Sequence, residues 1–328
     1  MRFNVLHLAA IFCAVSGCWA QQTPAEQLIE AGHWKKARAI VEARIHEAPE
    51  DPLANFLLSQ VRNAFGDRNT PLRLAEKAVS LDPGTAKFHR QVAECLGVMA
   101  QHAGAFSQLL LARRFRKEID AALALDPADR QALRDLMEFY LLAPGLLGGD
   151  LHKAEEIAGR IGQLDASEGF LAKARIAQFQ KQPADTETWL RRAAETQPSK
   201  YRARMALAEF YLAPDHPNFD AAETQAKEAI RLDPGRSAAY SALARIYADR
   251  GEWQALEEIL SEAARQVPDD LSPYYRAAER LAISGRDRDR SARYLRQYLS
   301  QEPEGNQPTI AEARELERRC RNANTSGR

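Results

Sequence analysis

No charge of either sign dominates this chain of 328 residues: 45 lysines and arginines stand against 45 aspartates and glutamates, for a formal net charge of zero. Without a basic or acidic excess, nothing global argues for nucleic acid, an acidic lipid surface or a polyanionic substrate as a partner. Long apolar runs are also missing. The one near the N-terminus, Val5 to Val15, is too short to span a bilayer as a stable anchor. The seven histidines, at positions 7, 33, 46, 89, 102, 152 and 216, include no pair at metal-ligand spacing with a carboxylate. There is no His-Glu-x-x-His run, no Gly-x-Ser-x-Gly elbow and no Cys-x-x-Cys. Nothing in the sequence therefore proposes an enzyme, a metal or a cofactor.

What the chain does have is internal repetition. In residues 234–268, Tyr240, Leu243, Ala244 and Tyr247 recur at helical spacing, as do Leu256, Ile259, Leu260 and Ala263 after Gly251. Gly251 suits the left-handed turn that ends a helix, and Pro268 cannot continue one. Such a helix-turn-helix unit cannot bury its apolar faces alone. Pro49 to Pro83 and Pro234 to Pro268 each span 34 positions, and Pro198 to Pro234 spans 36. A small residue stands five positions before each closing proline: Ala78, Ala122, Ala193, Ala229 and Ala263. Leu58-Ser59 with Gly66, Val92-Ala93, Leu207-Ala208 with Tyr211, and Leu243-Ala244 with Tyr247 keep the same register.

The period and these positions resemble the tetratricopeptide repeat (TPR) family over about residues 21–303. The resemblance implies an all-α, right-handed superhelical solenoid of about eight helix-turn-helix repeats. A charged helix over 304–321 is expected to cap the array, and 322–328 to form a flexible tail. In an extended solenoid each repeat touches only its neighbours, so Cys95 and Cys320 should lie far beyond disulfide reach. Cys95 is read as a small buried hydrophobe and Cys320 as an incidental thiol.

Residues 1–20 read as an export signal, with Arg2 ahead of the apolar run. Two processing readings stand side by side. Cys18-Trp19-Ala20 offers small residues around a cut before Gln21, whereas Val15-Ser16-Gly17-Cys18 looks like a lipobox in which Cys18 is lipidated. The first predicts a periplasmic or secreted protein, the second a membrane-anchored lipoprotein, with Cys18 as the only membrane attachment.

Three irregularities interrupt the array. Pro83 to Pro127 spans 44 positions, and the excess near Ala100–Leu110 extends the helices or lengthens their bend. The loop Ala143–Gly149 is longer than the turn it replaces, and is read as a bland connection capped by Asp150 in preference to a ligand loop. Across 165–198 the pattern weakens, with Lys173 and Lys181 in place of the expected Leu and Gly.

In this family the first helices line the concave side. Counting along them places Phe56, Gln60, Lys87, Arg90, Glu94, Arg134, Glu138, Arg202, Met205, Glu209, Arg245, Tyr275 and Glu279 in the groove. The expectation is a mixed-charge surface, with Phe56, Met205 and Tyr275 as apolar anchors, that binds an unidentified peptide or protein segment. Arg90/Glu94 and Arg134/Glu138 also have the spacing of intrahelical ion pairs.

Overall fold

A computed structural model describes residues 22–325 except 199, 216, 306 and 307. The export signal, Cys18, His216 and the last three residues lie outside the described residues. Seventeen α-helices occur among the described residues. The first sixteen form eight antiparallel hairpins: α1 Pro24–Ala31 with α2 Trp34–Glu47, α3 Pro52–Ala64 with α4 Pro71–Leu81, and α5 Ala86–Gln101 with α6 Ala105–Leu125. Then come α7 Arg130–Leu142 with α8 Leu151–Leu164, α9 Ala166–Phe179 with α10 Pro183–Glu195, and α11 Tyr201–Tyr211 with α12 Phe219–Leu232. The last pairs are α13 Ser237–Arg250 with α14 Trp253–Gln266, and α15 Ser272–Ser284 with α16 Arg288–Tyr298; α17 spans Ile310–Thr325.

Local chemistry sets these boundaries. Thr23 and Glu26 form a reciprocal capping box at α1, and the Asp51 and Asp129 carboxylates accept the first free amides of α3 and α7. Pro71 opens α4, where a missing amide costs little. Gly251 ends α13 with φ of 73°, in the left-handed region. The alanines five positions before the prolines are all buried. The Ala78, Ala122, Ala229 and Ala263 carbonyls also accept the amide that closes their helix. Any larger side chain there would hold neighbouring helices apart.

The core runs along the array as successive clusters, the longest extending from Ala174 through Tyr240 and Tyr294 to Cys320. This is the solenoid arrangement, with hairpin stacked on hairpin. The long third unit comes from longer helices: α5 has 16 residues and α6 has 21, against 14 each for α13 and α14. The weak stretch after 165 also has a cause. Asp165 alone separates α8 from α9 and caps both ends, so the usual proline-bearing link is absent.

Three expectations need correction. α17 begins at Ile310 and continues through 322–325, which the sequence placed in a tail. Cys320 is buried beside the Ser291 hydroxyl, 3.5 Å away, because α17 packs on α15 and α16. The array is also not open-ended. The turn and first residues of α2 meet the segments before and after α15–α16, so repeat one touches the last repeats. His33 Nδ1 lies 2.9 Å from Asp269 Oδ2, and the Lys36 ammonium donates to Asp269 Oδ1 at 3.1 Å. Arg38 forks onto Glu302 at 3.0 and 2.6 Å, and the Lys35 amide donates to Glu304 at 2.5 Å. Eight repeats thus wind once around and close at a polar seam.

Candidate concave interaction surface

The predicted groove residues lie on first helices, but neighbouring repeats hold most of them. Arg134 Nη1 donates to Glu168 Oε2 at 2.8 Å, and Arg202 Nη1 donates to the same oxygen at 2.6 Å. Arg175 forks onto Glu138 at 2.7 and 2.9 Å. Arg245 reaches Glu209 at 2.8 Å, Arg90 reaches Asp129 at 3.3 Å, and Lys87 reaches Glu26 at 2.7 Å. Arg276 and Glu279 pair within α15 at 3.1 Å. Gln60 is half-buried on α3.

These contacts overturn the intrahelical reading of two pairs. Arg90 and Glu94 do not bond to each other, nor do Arg134 and Glu138; each Arg reaches the next repeat. The apolar anchors are corrected as well. Phe56, Met205 and Tyr275 are buried, Phe56 against Phe88 with centroids 5.3 Å apart and Tyr275 against Tyr298 at 5.4 Å. Phe56 packs on the next repeat, Tyr275 on its own hairpin partner and Met205 within the core cluster, so all three serve packing and present no exposed apolar surface to a ligand.

Counting groove positions missed Asp129, Asp135, Glu168 and Arg175. A usable signal existed: Arg134 to Glu168 and Glu168 to Arg202 are each separated by 34 residues, one repeat. Opposite charges one period apart are brought side by side by stacking.

Within the concavity, partial burial acts on Asp135 and Arg134. Burial pushes the Asp135 carboxyl up to about 6; Arg90 pulls it down, and the neighbouring Glu94 charge pushes it further up. Gln131 Nε2 donates to Asp135 at 3.1 Å. Glu94 is exposed on the same surface, where Asn63 donates to it at 3.4 Å. Burial and the nearby Arg202 charge lower the Arg134 guanidinium from its ordinary value.

Where α9, α10 and α11 meet, this surface opens into a hollow of about 740 Å³ lined by Leu171, Arg175, Gln178, Leu190, Arg202 and Phe210. Its size falls within the range of ligand sites. It combines an apolar floor with charged walls, and it includes two predicted groove residues, Arg202 and Glu209.

The 143–149 loop is different. The amides of Leu147, Gly148, Gly149 and Asp150 donate to Pro144, Gly145 and Tyr140 carbonyls, and the Asp150 side chain caps α8. A Cβ at Gly149 would lie 1.8 Å from the Ala143 oxygen, so glycine is required for the turn itself. No described helix is long and apolar enough to cross a membrane.

No family model and no curated protein matches the chain. Among solved structures it is similar to yeast Tom70, with a TM-score of 0.58 and 16% identity over 94% of this chain and 65% of that one. It is also similar to TTC0263, a thermophilic TPR protein of Thermus thermophilus, with a TM-score of 0.50 and 19% identity over 58% of this chain and 96% of that one. The fold of this chain is that of the tetratricopeptide repeat, wound through eight units and closed by a final helix.

Proposed function

We propose that this protein is a non-enzymatic interaction scaffold that holds a peptide or protein segment against its concave face at repeats four to six. The hollow between α9, α10 and α11 carries this reading. An apolar side chain of the partner fits over Leu171, Leu190 and Phe210, while Arg175, Gln178 and Arg202 reach its backbone and polar groups. The ion-pair ladder keeps those arginines in place, which lowers the entropy lost on binding.

Peptide-display selection on the chain from Gln21 onward tests the proposal. Selected peptides should lose about ten-fold or more in affinity for a combined Arg202→Glu and Phe210→Ala variant, the scale of a modest interface hot spot. Equal binding to the variant and its parent, with both folded by circular dichroism, would end it.

The location is part of the proposal. Residues 1–20 read as an export signal, placing the scaffold in a bacterial envelope. The Val15-Ser16-Gly17-Cys18 pattern favours a second reading, a lipid-anchored assembly protein. Intact mass of the mature chain separates them: a start at Gln21 supports the free form, and an acylated Cys18 supports the anchored one.

A further inference from the structure

The four residues Leu146, Phe106, Leu142 and Leu110 are 84%, 75%, 63% and 52% exposed, and all lie on repeats three and four. The elongated α6 has just two fully buried residues, Ile119 and Ala122. Phe106, Leu110, Arg113 and Lys117 follow one another at steps of four, three and four, so they share one exposed face of α6. The 3₁₀ turn Gly145–Leu147 packs on α6 and brings Leu146 to the same edge.

Charge on this edge is not balanced. Arg114 and Arg116 are taken up by Glu76 and Asp120, and the Asp67 carboxylate accepts the Asn69 and Thr70 amides ahead of α4. Arg68, Arg113 and Lys117 have no ion pair among the described residues. Behind the projection lies an apolar hollow of about 470 Å³, walled by Leu72, Val98, Met99, Leu110 and Leu111, with Asp67, Arg68 and His102 also lining it.

We propose that this edge is a membrane-binding face for an anionic bilayer. Phe106, Leu110 and Leu146 enter the headgroup boundary, while Arg113, Lys117 and Arg68 meet lipid phosphates. A helix with large apolar side chains and cations on one exposed face suits that plane. The side chains stand outward on two projections, a shape that enters a soft surface. The neutral total charge of the chain conceals this local excess.

Every helix among the described residues lies between Pro24 and Thr325, so the chain from Gln21 onward carries the described solenoid without the apolar N-terminal run. Sedimentation with phosphatidylcholine vesicles, with and without phosphatidylglycerol, is the test. Binding is expected with phosphatidylglycerol alone. It should fall about five-fold for each of Arg113→Ser and Lys117→Ser, and should be lost in the triple variant Phe106→Ser, Leu110→Ser, Leu146→Ser. All of these positions are exposed, so the fold is retained, as circular dichroism would show. No binding to the mixed vesicles, equal binding to pure phosphatidylcholine, or unchanged binding of the triple variant would each overturn the proposal. So would self-association of the parent, removed by the triple variant, in the absence of vesicle binding; that would make the edge an interface between copies.

Discussion

Lys181 holds φ at +57°, in the left-handed region that side chains with a Cβ enter at a cost. Its amide donates to the Gln178 carbonyl and the next amide to Ala177, closing α9 as glycine does at α13. The position is the turn of the fifth repeat, where the sequence pattern calls for glycine. Lys181→Gly is therefore expected to raise stability by up to about 1 kcal/mol, the strain relieved exceeding the added freedom of the unfolded chain. Urea unfolding reads this as a higher midpoint at constant slope, and an unchanged or lower midpoint would contradict it. Cys95 illustrates the opposite situation at the same scale. Burial raises its thiol above the ordinary value, so it packs as a small apolar group with little thiolate to react.

Helices α8 and α9 meet across the single residue Asp165, which leaves room for nothing larger than hydrogen at their crossing. A Cβ on Gly169 would lie 2.3 Å from the Gly162 Cα, and that atom cannot move aside as a side-chain tip can. Gly159, two turns from the junction, meets nothing within 4 Å. The two glycines should respond with opposite signs. Gly169→Ala is expected to cost about 1–3 kcal/mol by overpacking, and Gly159→Ala to add about 0.5–1 kcal/mol through helix propensity. Thermal melts of the pair check this; a neutral Gly169→Ala would mean that α8 and α9 separate freely. The ion pairs across the concavity act differently. Partly exposed pairs of this kind contribute about 0–1 kcal/mol each. Their main effect is to fix the arginines over the hollow.

Closure of the superhelix concentrates unusual chemistry at the seam. Glu304 has a side chain only 2% exposed; one carboxylate oxygen accepts the Lys35 amide and the other lies 3.7 Å from the Lys35 ammonium with no hydrogen bond. Burial raises its pKa from 4.5 to about 7, with Lys35 opposing. Folding therefore takes up a proton here. The stability Glu304 contributes is full below its unfolded value and is lost as pH rises through about 7. Glu304→Gln should leave the thermal midpoint little changed below about pH 4 and raise it above about pH 8. A difference independent of pH would show that Glu304 is not desolvated at a closed seam, and small-angle scattering of an Arg38→Glu variant should show a larger radius if the seam holds the ends together.

The sequence by itself determined the repeat. The alanines before the prolines, Gly251 and the capping aspartates act within a turn or two of chain, so helical period and cap chemistry express them directly. Ion-pair partners are not legible within a single repeat, because Arg134 and Glu168 become neighbours only when one hairpin is laid on the next; their one-period spacing is the trace of it in the sequence. Phe56, Met205 and Tyr275 occupy groove positions by counting, yet they are buried, Phe56 against Phe88 of the next repeat and Tyr275 against Tyr298 of its own hairpin, contacts that a count along one helix does not record. Closure was hidden for the same reason. It depends on small rotations accumulated over eight units, and no single repeat records that sum; only the packed tertiary structure decides where residue 38 meets residue 302.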